Sequence, residues 1–148
     1  MDVKKIKKGA SKMETLILYY SYTGKTTAIA NALAIKESAD IAEIKSVARP
    51  GKFKAYTSGC FASMRGKIWP IQPIDKNLSE YERIIILAPV WAGFPPPYIN
   101  SVIEKLPSEK TVAIKMISAS GKSSCREKLE AAIVNRGCTF ESFEDIKA

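Results

Sequence analysis

A stretch of hydroxyl side chains follows the first apolar run of the sequence. Residues 16–20 are apolar or aromatic, residues 21–27 read Ser-Tyr-Thr-Gly-Lys-Thr-Thr, and a helical apolar pattern begins at Ala28. A helix N-terminus presents unpaired N–H groups and a partial positive charge, so anions bind there readily. The hydroxyls add donors, and Gly24 lets the backbone approach a ligand closely. This pattern is typical of a phosphate-binding turn, and equally of an ordinary strand-to-helix turn capped by threonine.

Two short segments share the ending of the nucleotide-hydrolase phosphate loop, which is Gly, four residues, then Gly-Lys-Ser or Gly-Lys-Thr. Residues 24–26 and 121–123 supply that ending, but Tyr19 and Met116 occupy the position of the first glycine. Without that glycine, we do not expect the large loop that wraps a diphosphate. The sequence therefore favours a compact turn that binds one terminal phosphate.

The composition narrows the class of protein. The chain has 148 residues, 46% of them hydrophobic, which is enough for one globular domain with its own core. It contains no histidine, which excludes Ser-His-Asp and Cys-His catalysis and histidine-based metal sites. No apolar run reaches the about 20 residues of a membrane span, and the N-terminus lacks the apolar core of a signal peptide. Cys60, Cys125 and Cys138 lack metal-ligand spacing and are predicted to be reduced thiols of a cytoplasmic protein.

The net charge of +8 falls into two parts. Residues 1–13 carry half of the excess and are predicted to be a solvated basic leader before a domain at 14–148. The remaining excess is expected to be spread along the domain. No basic stripe with interleaved aromatic residues occurs, so nucleic-acid binding is not predicted. A positive chain favours protein partners with acidic surfaces, although lysines that only maintain solubility would give the same total.

Strands and helices alternate along the chain, which predicts parallel strand pairing through right-handed crossovers. Strands are predicted over 15–20, 40–45, 84–88, 111–117 and 138–143. Helices are predicted over 25–36, after the prolines at 95–97, and over about 14 residues that end at Arg136. Residues 46–82 are irregular in pattern, and one short helix is expected near 58–66.

Three of the predicted loops follow the carboxyl ends of strands, at 21–26, 88–94 and 118–121. In an open parallel sheet, ligands bind beyond these ends, where the strand order reverses. Trp91 lies in the second loop, followed by Ala-Gly-Phe and three prolines. A tryptophan after an apolar strand either fills the core or presents a flat ring on which another ring can stack. The sequence alone leaves both interpretations of Trp91 open.

The three loops together resemble those of short flavodoxin-like proteins. The hydroxyl turn is similar to their phosphate loop, residues 88–97 to a loop that contacts the flavin, and residues 118–121 to a second ring-contacting loop. The resemblance spans most of the chain, in the order of the family. It implies an α/β fold with an open parallel five-stranded sheet of order 2-1-3-4-5, helices on both faces, and a noncovalently bound FMN.

The resemblance also implies which residues bind the cofactor. The phosphate would bind at Ser21, Tyr22, Thr23, Gly24, Lys25 and Thr26. The isoalloxazine would lie between residues 91–93 of the second loop and 118–120 of the third loop, with support from below by Pro89 and Val90. The residues of these two loops are Pro89, Val90, Trp91, Ala92, Gly93, Ser118, Ala119, Ser120 and Gly121. No acid–base side chain is required, because FMN performs the electron transfer.

The function that the resemblance implies is that of an electron carrier between redox partner proteins. The alternative on the same fold is an NAD(P)H-dependent flavin or quinone reductase. The chain has no Gly-x-Gly-x-x-Gly motif, but nicotinamide could still bind against an exposed flavin. A third hypothesis is a non-flavin interaction module whose ligand site has degenerated. Uptake of FMN, and its reduction by NADPH alone, would separate the three.

The sequence departs from the flavodoxin pattern in three respects. Flavodoxins are usually acidic, whereas this chain is basic. The third loop lacks an aromatic residue for the outer flavin face, which Phe61, Trp69 or Tyr98 could supply. The C-terminal helix that normally follows the last strand is apparently missing, and Lys115 occurs in the middle of a predicted strand. A homodimer through the face that this helix leaves bare is therefore expected.

Overall fold

A single parallel sheet is the centre of the computed structural model, which describes residues 14–47 and 68–148. Its strand order is β2-β1-β3-β4-β5. The strands are β1 (Thr15–Tyr19), β2 (Asp40–Glu43), β3 (Arg83–Pro89), β4 (Thr111–Ser118) and β5 (Thr139–Lys147). The helices are α1 (Lys25–Glu37), α2 (Pro97–Glu104) and α3 (Arg126–Asn135), with a 3-10 helix at Leu78–Glu80. The predicted five-stranded parallel sheet of order 2-1-3-4-5 is confirmed.

Some of the sequence predictions fall outside the described residues. These are the basic leader at 1–13, the short helix near 58–66, Cys60 and Phe61. Within the described part of the chain, no helix has the length and apolar character needed to cross a membrane.

The two central strands are continuously apolar because both of their faces are covered. β1 pairs with β2 and β3, and its residues Leu16, Ile17 and Leu18 have no exposed surface. In β3, which pairs with β1 and β4, Ile84 and Ile85 are equally buried. Successive side chains of a strand point to opposite faces, so a strand buried on both faces needs apolar residues at every position.

The helices lie on both faces of the sheet, as predicted. Ala30 of α1 packs with Ile17 and Leu87 in the core on one face. Ile99 of α2 and Ile133 of α3 belong to the larger core on the opposite face. Among the described helices, only α1 covers one face of the sheet, while α2 and α3 together cover the other face.

A β-bulge changes the phase of β5. The register between β4 and β5 shifts between Val112 and Ala113, which leaves Glu141 as the extra residue of β5. Without a bulge, Phe140 and Phe143 would point to opposite faces, because they are three residues apart. Both instead pack against the larger core. β5 pairs with β4 as far as Lys147, so the predicted end of the last strand at residue 143 is wrong.

Ion pairs occupy the part of the α1 face that lies beside β4 and β5. Lys115 Nζ lies 2.7 Å from Glu144 Oε1. Arg83 Nε lies 2.7 Å from Glu141 Oε1, and Arg83 Nη1 lies 3.1 Å from Glu37 Oε1. Hydrogen bonding to the Arg83 guanidinium holds the pKa of Glu141 below its usual range. Lys115 is accommodated in a mostly apolar strand because its charge is paired within the chain.

α3 is shorter than the predicted helix, because the loop before it is stabilised in another conformation. The Gly121 N–H donates to Ser118 Oγ (3.0 Å), and the Lys122 N–H donates to Ser120 Oγ (3.2 Å). Such bonds from backbone to nearby hydroxyls compete with helix formation. α3 therefore begins only at Arg126 and spans 10 residues, and the earlier helix start that the sequence suggested is wrong.

Candidate functional site

The hydroxyl turn forms the N-terminus of α1. Gly24 is the N-cap residue, and its φ of 98° is a left-handed conformation that glycine adopts without strain. Its N–H donates to Ser21 Oγ (2.9 Å), which closes the turn. A Cβ built at Gly24 would have no atom within 4 Å, so the space above the turn is open. Among the described residues, no side chain caps this helix and no acidic residue lies in its first turn.

The donors of this turn suit a phosphate. The first-turn amides of α1 have no helical acceptor and carry the positive end of the helix dipole. Thr23 and Lys25 are exposed, and Thr26 is buried at the base of the turn. Thr27 instead hydrogen-bonds the hydroxyl of Tyr19, so its side chain is already used within the protein. A lysine at the start of a helix opposes the dipole, and a bound anion would compensate both positive charges.

The second loop contains a tight turn between Trp91 and Phe94. The Trp91 N–H donates to Phe94 O (2.6 Å), and the Phe94 N–H donates to Trp91 O (3.1 Å). Ala92 and Gly93 have φ values of 52° and 89°, the combination that a type I′ turn requires. A left-handed conformation costs a residue with a side chain about 1–2 kcal/mol, so Ala92 is the strained member. Backbone strain of this kind clusters at functional sites.

Trp91 lies within a cluster of aromatic side chains at the carboxyl end of the sheet. Its ring centroid is 5.8 Å from Tyr22, 6.1 Å from Tyr20 and 6.4 Å from Trp69, in edge-to-face arrangements. Tyr98 lies below them, with its ring 4.8 Å from Tyr20. Trp91 is half-buried. One part of its ring therefore fills space against the protein, and the remaining part is accessible to a ligand.

The third loop is held by its own hydroxyls and by the end of β5. Ser118 O accepts a hydrogen bond from the Ala148 N–H (2.9 Å). Gly121 has a φ of 72°, and a Cβ at this position would lie 3.0 Å from Lys147 Cβ. Ser120 is exposed at the tip. The loop therefore approaches β5 closely and presents small polar side chains at the edge of the sheet.

The structure brings the three loops to the same edge of the sheet. Ring contact between Tyr22 and Trp91 joins the first loop to the second. A hydrogen bond from the Ser124 N–H to Gly93 O (2.7 Å) joins the second loop to the segment after the third. The residues predicted at the cofactor site are Ser21, Tyr22, Thr23, Gly24, Lys25, Thr26, Pro89, Val90, Trp91, Ala92, Gly93, Ser118, Ala119, Ser120 and Gly121. Their role as cofactor ligands stays a prediction.

The aromatic residues suggested for the outer flavin face differ in accessibility. Trp69 is half-buried beside Trp91, whereas Tyr98 is only 2% exposed and cannot stack on a ligand. Two contributors to the site were missed at the sequence level. Tyr20 could have been found as an aromatic residue at the end of a central strand. Ser124 could not have been found from its residue type, because it contacts Gly93 through its backbone N–H, which every residue except proline has.

The positive excess of the chain lies outside the described residues. Within 14–47 and 68–148, cationic and anionic side chains are nearly equal in number. The excess belongs to residues 1–13 and 48–67, and the latter segment contains Lys and Arg but no Asp or Glu. The expectation that half of the excess is spread along the domain is therefore wrong.

A second concave feature lies between α2 and α3, away from the hydroxyl turn. This groove has a volume of about 220 Å³ and is lined mainly by apolar side chains such as Leu129. Of its cations, Lys128 lies over the Phe94 ring at 5.6 Å, and Arg136 donates to Leu106 O (2.9 Å). Both cations are engaged within the protein, so the groove offers fewer donors for a phosphate than the start of α1.

Comparison with known proteins places these loops on a known fold. A family model described as flavodoxin matches residues 14–138. A flavoprotein in complex with FMN from Lactobacillus acidophilus superposes with a TM-score of 0.75 at 22% identity, covering 89% of this chain and 92% of that chain. A Bacteroides eggerthii protein gives 0.74 at 21% identity, covering 90% and 87%. Oxidised flavodoxin 1 from Bacillus cereus gives 0.51 at 17% identity, covering 91% and 86%. None of the curated proteins matches the chain.

Proposed function

Because the chain belongs to the flavodoxin family, we propose that it is an electron-transfer protein that binds FMN noncovalently at the carboxyl-end edge of its sheet. One observation carries this proposal: an open, uncapped helix start and the accessible part of Trp91 meet at the same edge. The first suits a phosphate and the second suits a flat ring. When bound, FMN supplies the electron transfer, so the protein needs no acid–base side chain.

The hydroxyl turn would hold the phosphate of the cofactor. The amides of the first turn of α1 would donate to its oxygens, together with the hydroxyls of Thr23 and Thr26. Lys25 would add a positive charge at the same place. Gly24 supports this fit, because the space that a Cβ would occupy is open to a ligand.

The second and third loops would hold the ring. No hydrogen bond of the described residues uses the N–H groups of Ala92 and Gly93, which are available to the polar edge of the flavin. Donors at that edge would favour added negative charge on the ring. The accessible part of Trp91, with Pro89 and Val90 beneath the ring, would exclude water and oppose excess negative charge. The balance of these two effects would set the potential of the cofactor.

The visible spectrum of the purified protein tests the cofactor. We expect an oxidised flavin spectrum and FMN as the released cofactor, either as isolated or after reconstitution. Protein that takes up no FMN on reconstitution would remove the proposal and favour a non-flavin interaction module. Under anaerobic conditions, dithionite is expected to reduce the bound flavin, whereas NADPH alone is not expected to reduce it. Rapid reduction by NADPH would instead identify a flavin or quinone reductase.

Three finer properties belong to the same proposal. A cytoplasmic location is expected, since Cys125 and Cys138 are buried free thiols. The redox partners are expected to have acidic surfaces. The third property is a homodimer through the α1 side of β4 and β5, whose contacts would have to offset the cost of desolvating the ion pairs of Lys115 and Arg83. Sedimentation velocity at micromolar concentration tests the dimer, and a strictly monomeric protein would remove that part of the proposal.

A further inference from the structure

Cations outnumber carboxylates among the loops and helix starts at the carboxyl-end edge of the sheet. In the described part of the chain, the segments that lead away from the strands at this edge are 20–25, 44–47, 90–97 and 119–126. They contain no Asp or Glu. The cationic edge is defined here by Lys25, Lys45, Lys122, Arg126 and the last residue of β5, Lys147.

The charges of the cationic edge are exposed and outnumber the carboxylates beside them. All five side chains are exposed, and none takes part in the ion pairs found among the described residues. Three carboxylates lie within two residues of these cations along the chain. Glu127 follows Arg126 in the first turn of α3. Glu43 and Asp145 belong to strands, and Asp145 accepts a hydrogen bond from Ser123 Oγ (2.7 Å). α1, α2 and α3 all begin at this edge, so their dipoles add positive potential there.

The opposite edge of the sheet has a different character. Glu14, Asp40, Glu82 and Glu109 lie at or just before the starts of strands, and basic residues such as Lys110 are interspersed among them. Charges of both signs therefore cancel in part at this edge. Because the described residues are nearly neutral in sum, the positive potential at the cationic edge comes from the arrangement of charge and not from its total.

We propose that the cationic edge is the docking surface for an acidic redox partner protein. Its charges surround the loops that carry the accessible part of Trp91, so a partner attracted to them would arrive at the proposed flavin ring. Charge complementarity of this kind steers diffusional encounter and raises association rates. The electron-transfer step rests on the proposed function, whereas the potential of the edge is a property of the protein without cofactor.

Tryptophan fluorescence of flavin-free protein measures this potential directly. The two tryptophans of the chain, Trp69 and Trp91, both lie at the cationic edge. The cationic edge attracts iodide, an anion, and repels caesium, a cation. Relative to its quenching of free tryptophan, iodide is therefore expected to quench the emission of the protein more strongly than caesium does. Equal relative quenching by the two ions would overturn the proposal, whether or not the protein binds FMN.

A pair of matched triple variants assigns the effect to the cationic edge. The first variant combines Lys45→Gln, Lys122→Gln and Arg126→Gln, and the control combines Lys36→Gln, Lys76→Gln and Lys110→Gln. Both change the total charge equally. The iodide-to-caesium quenching ratio is expected to fall about threefold in the first variant and to stay near the wild-type value in the control. An equal fall in both variants would show that only net charge matters and would overturn the proposal.

Small redox probes then test whether the edge controls encounter with the cofactor. Reduced FMN-loaded protein passes one electron to hexacyanoferrate(III), an anion, or to hexaammineruthenium(III), a cation. The first triple variant is expected to lower the rate with hexacyanoferrate(III) about tenfold and not to lower the rate with the ruthenium complex. At 1 M salt the difference should disappear, because the Debye length falls to about 3 Å. Unchanged hexacyanoferrate(III) rates would overturn the proposal.

Polymeric probes distinguish a protein partner from a nucleic acid. Poly-L-glutamate is expected to bind the wild-type protein and the control more tightly than the first triple variant, by about tenfold at low salt. Oligodeoxythymidylate of matched charge serves as the comparison. Binding of the oligonucleotide that exceeds binding of poly-L-glutamate by more than about tenfold at 0.15 M salt would identify a nucleic acid as the occupant and overturn the proposal.

Discussion

Replacement of Thr26 by valine tests the phosphate role of the hydroxyl turn. Thr26 is 3% exposed in the first turn of α1, so valine keeps the shape of the side chain and removes only the hydroxyl. A hydrogen bond to a charged group contributes about 1.5–3 kcal/mol. The dissociation constant for FMN is therefore expected to rise by about 10- to 150-fold.

Riboflavin supplies the second arm of this test, because it has the ring without the phosphate. Loss of several charge-assisted hydrogen bonds at once should cost about 5 kcal/mol or more, which is over a thousandfold in affinity. Riboflavin binding should be insensitive to Thr26→Val, since the hydroxyl has no phosphate to contact. Quenching of flavin fluorescence on titration with flavin-free protein measures all four dissociation constants.

Thr27→Val is the matched control in the same helical turn. The Thr27 side chain hydrogen-bonds Tyr19, so this variant is expected to lose about 1 kcal/mol of stability and to keep its FMN affinity. Circular dichroism of each variant verifies the fold. Equal affinity for riboflavin and FMN, or normal FMN affinity in a folded Thr26→Val protein, would refute the phosphate role.

Three further substitutions and conditions probe the second loop, the third loop and the ion pairs. Trp91→Ala is expected to lower the free energy of unfolding by about 3 kcal/mol, because three aromatic rings lose their contact with the Trp91 ring. Urea unfolding measures this loss, and a value below about 1 kcal/mol would contradict the packing role of Trp91. Gly121→Ala should lower the free energy of unfolding by about 1–3 kcal/mol, because the φ of 72° at Gly121 and the 3.0 Å approach to Lys147 Cβ both oppose a side chain. A thermal unfolding midpoint equal to that of the wild type would show that the loop can relax. Arg83 lowers the pKa of Glu141 from 4.5, so the ion pair stabilises the protein above that pH, and this stabilisation is lost as the pH falls through the lowered native pKa. Arg83→Gln should therefore weaken the fall in the free energy of unfolding at acidic pH. An unchanged dependence of stability on pH would contradict the role of the pair.

The central sheet and the hydroxyl turn at the start of α1 could be predicted from the sequence because they depend on local patterns. The apolar runs that became β1 and β3 have no polar alternation, which indicates strands buried on both faces. A hydroxyl-rich turn with Gly24 directly before a helical pattern indicates a helix start that can accept an anion. The resemblance to flavodoxins then implied the strand order, which local patterns alone leave open.

The extent of the last strand and the start of α3 depend on contacts that the sequence does not display. The bulge at Glu141 places Phe140 and Phe143 against one core, and the benefit of burying both rings is visible only when β4 lies beside β5. Hydroxyls of the third loop bind backbone N–H groups that a helix would otherwise use. In both places, a local pattern was overridden by a specific hydrogen bond or packing contact.

The character of the functional edge was decided by the tertiary structure. The sequence left Trp91 as either a core residue or a platform for a ring. Its contacts with Tyr20, Tyr22 and Trp69 show that part of the side chain packs against the protein, while its role as a platform stays a prediction. Net charge suggested a uniformly basic domain, whereas the described residues are nearly neutral and place an excess of cations at one edge of the sheet. The reason is topological: in a parallel sheet with helical crossovers, loops that are distant in sequence meet at the same edge. Side chains and charges carried by those loops therefore act together only after folding.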